Sequence, residues 1–127
     1  MALARRFWLL TLAWACVIFV LSSVPGRVMP PMPGFFQFDK ALHGSVYAVL
    51  GALCFFAVRR TWSLSRARLI GLAAVFAVLY GLSDEFHQMF VPGRSPDWFD
   101  AVADGIGGLI GASVAAVLPL AKADGSG

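Results

Sequence analysis

Charged residues are scarce in this chain of 127 residues: they make up 13% of it, whereas hydrophobic residues make up 59%. An ordinary soluble domain carries about 25% charged residues. A domain of this length exposes a large share of its surface, so this few charges would not keep it in solution. The composition therefore argues against a soluble enzyme and predicts an integral membrane protein.

Cysteine is also rare, and neither Cys16 nor Cys54 has the spacing of a metal site or of a disulfide framework. The net charge is +3, but the basic residues separate apolar runs instead of forming a basic surface with interleaved aromatics. We therefore expect neither a disulfide scaffold nor a nucleic-acid partner.

Four stretches without a charged residue locate the membrane spans: residues 7–26, 41–58, 69–83 and 105–121. A spanning helix needs about 17–25 mainly apolar residues, so the third stretch is too short and the fourth is marginal unless their polar ends enter the membrane. We predict a single all-α domain over residues 1–127, an integral membrane four-helix bundle with spans at 7–24, 40–58, 68–88 and 97–121. The first span follows a basic pair, as a signal peptide would, but no A-x-A-like cleavage site comes after it, which favours a retained helix.

The basic residues predict the orientation, because short cytoplasmic loops carry an excess of lysine and arginine. Seven of them fall on one side of the predicted bundle: Arg5, Arg6, Arg59, Arg60, Arg66, Arg68 and Lys122. Three fall on the other side: Arg27, Lys40 and Arg94. Both termini are therefore predicted to lie in the cytoplasm (N-in/C-in).

Ionisable residues on three spans are predicted to lie at one depth. With a rise of about 1.5 Å per residue, His43 and Asp84 each lie about 24 Å above the inner boundary, and Asp104 lies about 27 Å above it. The hydrocarbon core is about 30 Å thick, and ionisable groups inside it are costly and usually mark a functional site. We therefore predict a site formed by these three residues, just beneath the external surface.

Helical spacing brings further polar residues onto the same faces. The sets are Asp39, His43 and Tyr47 on the second span, Tyr80, Asp84, His87 and Gln88 on the third, and Asp97, Asp100 and Asp104 on the fourth. Gly107 and Gly111 continue the last face, and their spacing predicts close approach of a neighbouring helix in lipid. Glu85 is turned about 100° away from Asp84 and is predicted to face either another helix or solvent.

Some of these residues also have a purely structural interpretation. Asp39 and Asp97 lie where a helix begins, and a carboxylate there caps the first turn and suits the helix dipole. Tyr47 and Tyr80 are expected to pack against neighbouring helices through their rings, with a hydrogen-bonded hydroxyl.

The run DEFHQMFVPGRSPDWFD at residues 84–100, together with DKALH at residues 39–43 and Tyr47, resembles the VanZ-like family of small bacterial membrane proteins. The similarity extends over residues 39–111, more than half of the chain. It implies a multi-pass protein of the bacterial cytoplasmic membrane, linked to glycopeptide (teicoplanin) resistance and to the cell envelope. The polar motif of the family falls here on Asp39, His43, Asp84, Glu85, His87, Gln88, Arg94, Asp97, Asp100 and Asp104. At the last of these positions the family commonly has asparagine.

An enzyme acting on a lipid-linked substrate in the outer leaflet is one function that fits these residues. Its candidate catalytic residues are His43, Asp84, Glu85 and Asp100. His43 would be a general base oriented by Asp84 or Asp100. Alternatively, Asp84 and His87, at i and i+3, would bind a divalent metal for an intramembrane hydrolase or transferase.

A binding module without chemistry is the second candidate. It would hold a membrane lipid, a lipid-linked cell-wall precursor or a lipoglycopeptide in an outward-facing polar pocket. Arg94 would contact a phosphate or carboxylate in two hydrogen bonds. The full set of candidate ligand-binding residues is Asp39, Tyr47, His87, Gln88, Arg94, Asp97 and Asp104. In a third, purely structural interpretation, the polar layer only holds the helices together.

Overall fold

The described part of the chain forms four long helices, as the sequence predicts. The computed structural model describes residues 1–25 and 35–119, and over residues 35–39 it describes the backbone alone. The helices are α1 (Ala2–Ser22), α2 (Phe35–Thr61), α3 (Arg66–Gln88) and α4 (Trp98–Val117). Each of them contains a stretch that is long and apolar enough to cross a membrane. The all-α four-helix prediction is confirmed, whereas the N-in/C-in orientation stays a prediction.

The ends of α3 and α4 follow from local sequence. Ser65 caps α3, since its side chain accepts a hydrogen bond from the backbone N–H of Arg68. Asp97 caps α4 in the same way through Phe99 at 3.0 Å, which confirms the structural interpretation of Asp97 as a cap. The last helix ends at Val117, earlier than the predicted span end at residue 121. Leu118 is extended there because it precedes a proline, which disfavours helical backbone at that position.

The closest packing in the bundle is between α2 and α4, and it depends on glycine. A Cβ atom at Gly107 would overlap the backbone of Gly44, and one at Gly111 would overlap the backbone of Ala48. Small residues let two backbones approach in this way in lipid, where van der Waals packing holds helices together. The close approach predicted from the Gly107/Gly111 spacing is confirmed.

The outer surface of the bundle is apolar along all four helices. Leu12 and Val20 on α1, Leu79 on α3 and Ile110 on α4 are examples of large hydrophobic side chains that are more than half exposed. Such a surface would be unfavourable in water but suits a hydrocarbon environment. The helix α1 lies on the outside of the bundle, and the Trp14 indole N–H fixes it by donating to the backbone oxygen of Val46 on α2 at 2.9 Å.

Candidate functional site

Three helices bring four ionisable side chains together at one end of the bundle. They are His43 from α2, Asp84 and Glu85 from α3, and Asp104 from α4. Each offers a potential ligand atom, and these atoms all lie within 4.8 Å of one another. The carboxylates are buried, with 6% exposure for Asp84 and 0% for both Glu85 and Asp104. The structure thus brings together the three residues that helical rise placed at one depth, and it adds Glu85 to them.

His43 pairs with the carboxylate of Asp104. Its Nδ1 lies 2.9 Å from Asp104 Oδ1, while its Nε2 lies 3.9 Å from Asp100 Oδ2. An ionised carboxylate only accepts, so Nδ1 is the donor of this hydrogen bond when Asp104 is ionised. The sequence hypothesis gave the orienting role to Asp84 or Asp100, and the structure shows a contact with Asp104 that this hypothesis did not include. The contact with Asp104 helps to fix the orientation of the imidazole.

Glu85 faces another helix and not solvent, which settles the two alternatives for this residue. Its Oε2 accepts a hydrogen bond from the backbone N–H of Asp97 at 2.7 Å. This bond ties the end of α3 to the start of α4. Its Oε1 is buried and has no hydrogen-bond partner. The carboxylate therefore has one structural oxygen and one oxygen directed to no protein donor.

Lys40 is a member of the site that sequence reasoning did not select. Its Nζ donates to Asp97 Oδ2 at 2.6 Å and also to Asp100 Oδ1. The hydrogen bond from Lys40 holds the pKa of the Asp97 carboxyl below its ordinary value. The sequence signal that could have identified Lys40 as a site residue was its position three residues before His43, which places both on one face of α2. Asp100, a predicted catalytic residue, is thus a partner of Lys40.

A cavity of about 170 Å³ opens beside the four-residue cluster, between α1, α2 and α3. Its apolar wall consists of Ile18, Leu21, Val24, Leu42 and Val46. Its polar residues are Ser22, His43, Tyr47, Asp84, Gln88 and Arg94. The cavity therefore has an apolar side towards α1 and a polar side that includes two members of the cluster. The contribution of α1 was missed because nothing in its sequence carries a charge at that end.

Hydrogen bonds fix the polar rim of this cavity. Gln88 Nε2 donates to the Ser22 hydroxyl at 3.3 Å, and Arg94 Nε donates to the backbone oxygen of Val24 at 3.0 Å. The hydroxyl of Tyr47 is buried and without a hydrogen-bond partner, although a packed tyrosine usually finds one. The rim thus joins the loop after α3 to the end of α1.

The predicted metal ligand His87 is not part of the four-residue cluster. His87 stacks on Phe19 of α1, with ring centroids 4.4 Å apart, and its Nε2 lies 3.4 Å from the Ser23 hydroxyl. The structure therefore does not bring His87 into a metal-binding group with Asp84. The side chain of Asp39 lies outside the described part of the structure.

Comparison with known proteins identifies the family. The family model described as VanZ/LLP1 matches residues 7–119, nearly the whole chain. No curated protein and no solved structure gives a significant match. The matched region contains the four-residue cluster, the cavity and most of each helix. The chain therefore belongs to the VanZ/LLP1 family, and its four membrane-length helices make it a VanZ-like multi-pass membrane protein.

Proposed function

We propose that this protein binds a lipid-linked or acyl-bearing ligand from the outer leaflet of the bacterial cytoplasmic membrane. The observation that carries this proposal is the cavity, which has an apolar wall and a charged rim. Through such a ligand the protein would act in cell-envelope processes, including resistance to the glycopeptide teicoplanin. The candidate ligands are a membrane lipid, a lipid-linked cell-wall precursor and a lipoglycopeptide.

The apolar wall suits an acyl chain. Leu21 from α1 and Leu42 and Val46 from α2 lie on the same cavity as Asp84 and Arg94. An acyl chain placed against this wall gains the ordinary transfer free energy of apolar contact, and its headgroup then lies at the polar rim. Specificity in such sites comes from a small number of polar groups at one end.

The polar rim suits an anionic or hydrogen-bonding headgroup. Arg94 supplies a guanidinium, which binds phosphate or carboxylate through parallel N–H donors. His43 and Asp84 supply groups that accept or exchange protons. Ionisable groups at membrane depth are expensive and are retained mainly where they bind or react. The predicted orientation places this end of the bundle at the external surface, in reach of outer-leaflet lipids.

Binding of purified protein tests the proposal. The protein is purified in a mild detergent, and co-purifying lipids are identified by native mass spectrometry, followed by titration with teicoplanin and with a glycopeptide lacking an acyl chain. We expect a bound lipid, or binding of the acylated glycopeptide alone. Val46→Phe fills the cavity and should weaken that binding. Val49→Phe is the matched control, because Val49 is exposed on the same helix and does not line the cavity.

Arg94→Gln separates headgroup recognition from acyl-chain binding. It removes the guanidinium charge at the rim and leaves the apolar wall intact, so affinity for an anionic ligand should fall more than affinity for a neutral one. Absence of any bound lipid or glycopeptide in the wild type, or equal binding by Val46→Phe and Val49→Phe, would contradict the proposal.

A further inference from the structure

The cluster of His43, Asp84, Glu85 and Asp104 places three carboxyl groups and one imidazole in a small volume. Three carboxylates and one imidazole offer ligand atoms within 4.8 Å of one another. At this separation the carboxylates repel one another strongly, because the protein interior screens charge far less than water does. Burial of several charges at one place is stable only when a partner charge and hydrogen bonds compensate them. A bound cation would supply this compensation when the carboxyl groups are ionised.

Two carboxylate oxygens of the cluster have no protein partner. Glu85 Oε1 and Asp104 Oδ2 are both buried and receive no hydrogen bond, although both side chains are at 0% exposure. Buried polar atoms are nearly always satisfied, so an orphaned pair in one cluster indicates a missing ligand. The other oxygen of each residue is held in place, by the backbone N–H of Asp97 for Glu85 and by His43 for Asp104.

The orphaned oxygen of Asp104 points towards α3, the helix that carries the other two carboxylates. A Cβ atom on Gly81 would lie 3.1 Å from Asp104 Oδ2 and 3.0 Å from Asp104 Cβ. Because Gly81 has no side chain, the Asp104 carboxylate has room to lie against α3. Gly81 lies three residues before Asp84 and four before Glu85, on the same side of α3. The orphaned oxygen is thus directed to the helix face from which two further ligands come.

We propose that His43, Asp84, Glu85 and Asp104 bind a divalent transition-metal ion. Carboxylates suit Mn²⁺ and imidazole suits Zn²⁺ and Fe²⁺, so a set of three carboxylates and one imidazole fits ions of this group. The ion supplies the missing partner of the two orphaned oxygens. Since His43 and Asp84 also line the cavity, the ion lies at the cavity's polar side. This goes beyond ligand binding, and it does not depend on what occupies the cavity.

Metal binding by the purified protein is the test, with Mn²⁺ and Zn²⁺ as probes. The detergent-purified protein is stripped with a chelator, reloaded and freed of excess metal, and the metal per chain is measured by elemental analysis. We expect about one ion per chain. The Mn²⁺ form should show coupling of the electron spin to one imidazole nitrogen in pulsed electron paramagnetic resonance. Measurements on the wild-type protein alone can overturn the proposal. They would do so if no metal is retained, or if bound Mn²⁺ shows no coupling to nitrogen.

Substitutions identify which residues hold the ion. Glu85→Gln keeps the shape of the side chain and removes its charge, so affinity should fall at least about tenfold. His43→Gln should abolish the nitrogen coupling. His87→Gln is the matched control, since His87 stacks on Phe19 outside the cluster and should leave both stoichiometry and coupling unchanged. Loss of metal in His87→Gln, or unchanged affinity in a monodisperse Glu85→Gln protein, would refute the assignment.

Discussion

The glycine contact between α2 and α4 sets the distance across the site, and Gly107→Ala tests this. A Cβ at Gly107 would lie 2.9 Å from both the carbonyl carbon and the Cα of Gly44, and it would also overlap the Gly44 oxygen. All three atoms are backbone, so no side chain can rotate away. Gly44 follows His43 directly, and Gly107 lies one turn after Asp104. A change at this contact is therefore transmitted to the His43–Asp104 pair.

The magnitude follows from these distances. Ordinary contact begins at 3.4 Å, so the two carbon contacts alone require a separation of about 0.5 Å, and the closer Gly44 oxygen requires more. The hydrogen bond between His43 Nδ1 and Asp104 Oδ1, 2.9 Å long, would then approach the outer limit of hydrogen-bond length. Overpacking of this kind costs about 1–3 kcal/mol. Alanine recovers up to about 1 kcal/mol because it favours the helix more than glycine does. With the full helix-propensity gain subtracted, we expect a net loss of up to about 2 kcal/mol in the free energy of unfolding.

Gly71→Ala is the control for this experiment. Nothing lies within 4 Å of a Cβ built at Gly71 on α3, so the substitution gains helix propensity without a clash. It should leave the protein equally stable, or up to about 1 kcal/mol more stable. The free energies of unfolding are measured in mixed micelles with increasing SDS, followed by far-ultraviolet circular dichroism. Equal stability of the two variants would refute the argument that backbone contact at Gly107 sets the helix distance.

Three further predictions concern charge and topology. The hydrogen bond from Lys40 lowers the pKa of Asp97, so the Asp97 carboxylate stabilises the fold at pH values above its unfolded pKa of about 3.9. This stabilisation is lost as the pH falls below that value and the carboxylate becomes protonated. The melting temperatures of the wild type and of Asp97→Asn should therefore converge at low pH. A reporter active only outside the cell should be inactive when fused after Lys122 and active after Gly93, because of the distribution of basic residues; the reverse pattern would overturn the orientation. In complementation of a knockout, Asp104→Asn should lose less function than Asp84→Asn, because the introduced asparagine keeps an oxygen that can accept a hydrogen bond from His43. Equal loss of function in the two variants would count against this prediction.

Much of the fold was predictable because each helix has its own local signal. Charge-free runs of sufficient length locate four helices, and the rise per residue places His43, Asp84 and Asp104 at one level. The cap at Asp97 and the close contact at Gly107 also depend on short sequence patterns, which the structure confirms. In each case the prediction needed only one helix at a time.

The pairing of side chains across helices was not predictable in the same way. It depends on how far each helix is rotated about its own axis, and helices that are apolar almost all round carry a weak signal for this rotation. For this reason the sequence did not show that Asp104 contacts His43. For the same reason it did not show that His87 faces α1. The role of Lys40 depended on the position of Asp97 on another helix.

The most direct test of the central claim, that the buried layer is a functional site, is complementation by the double variant His43→Leu, Asp84→Leu. If the layer only holds helices together, apolar residues of similar size should replace it, since buried ionic groups are often exchangeable for packed apolar ones without loss of stability. The readout is glycopeptide susceptibility of a strain lacking the gene, with membrane insertion and monodispersity in detergent measured alongside. We predict a protein that inserts and stays monodisperse but fails to complement. Full complementation by the double variant would contradict the claim.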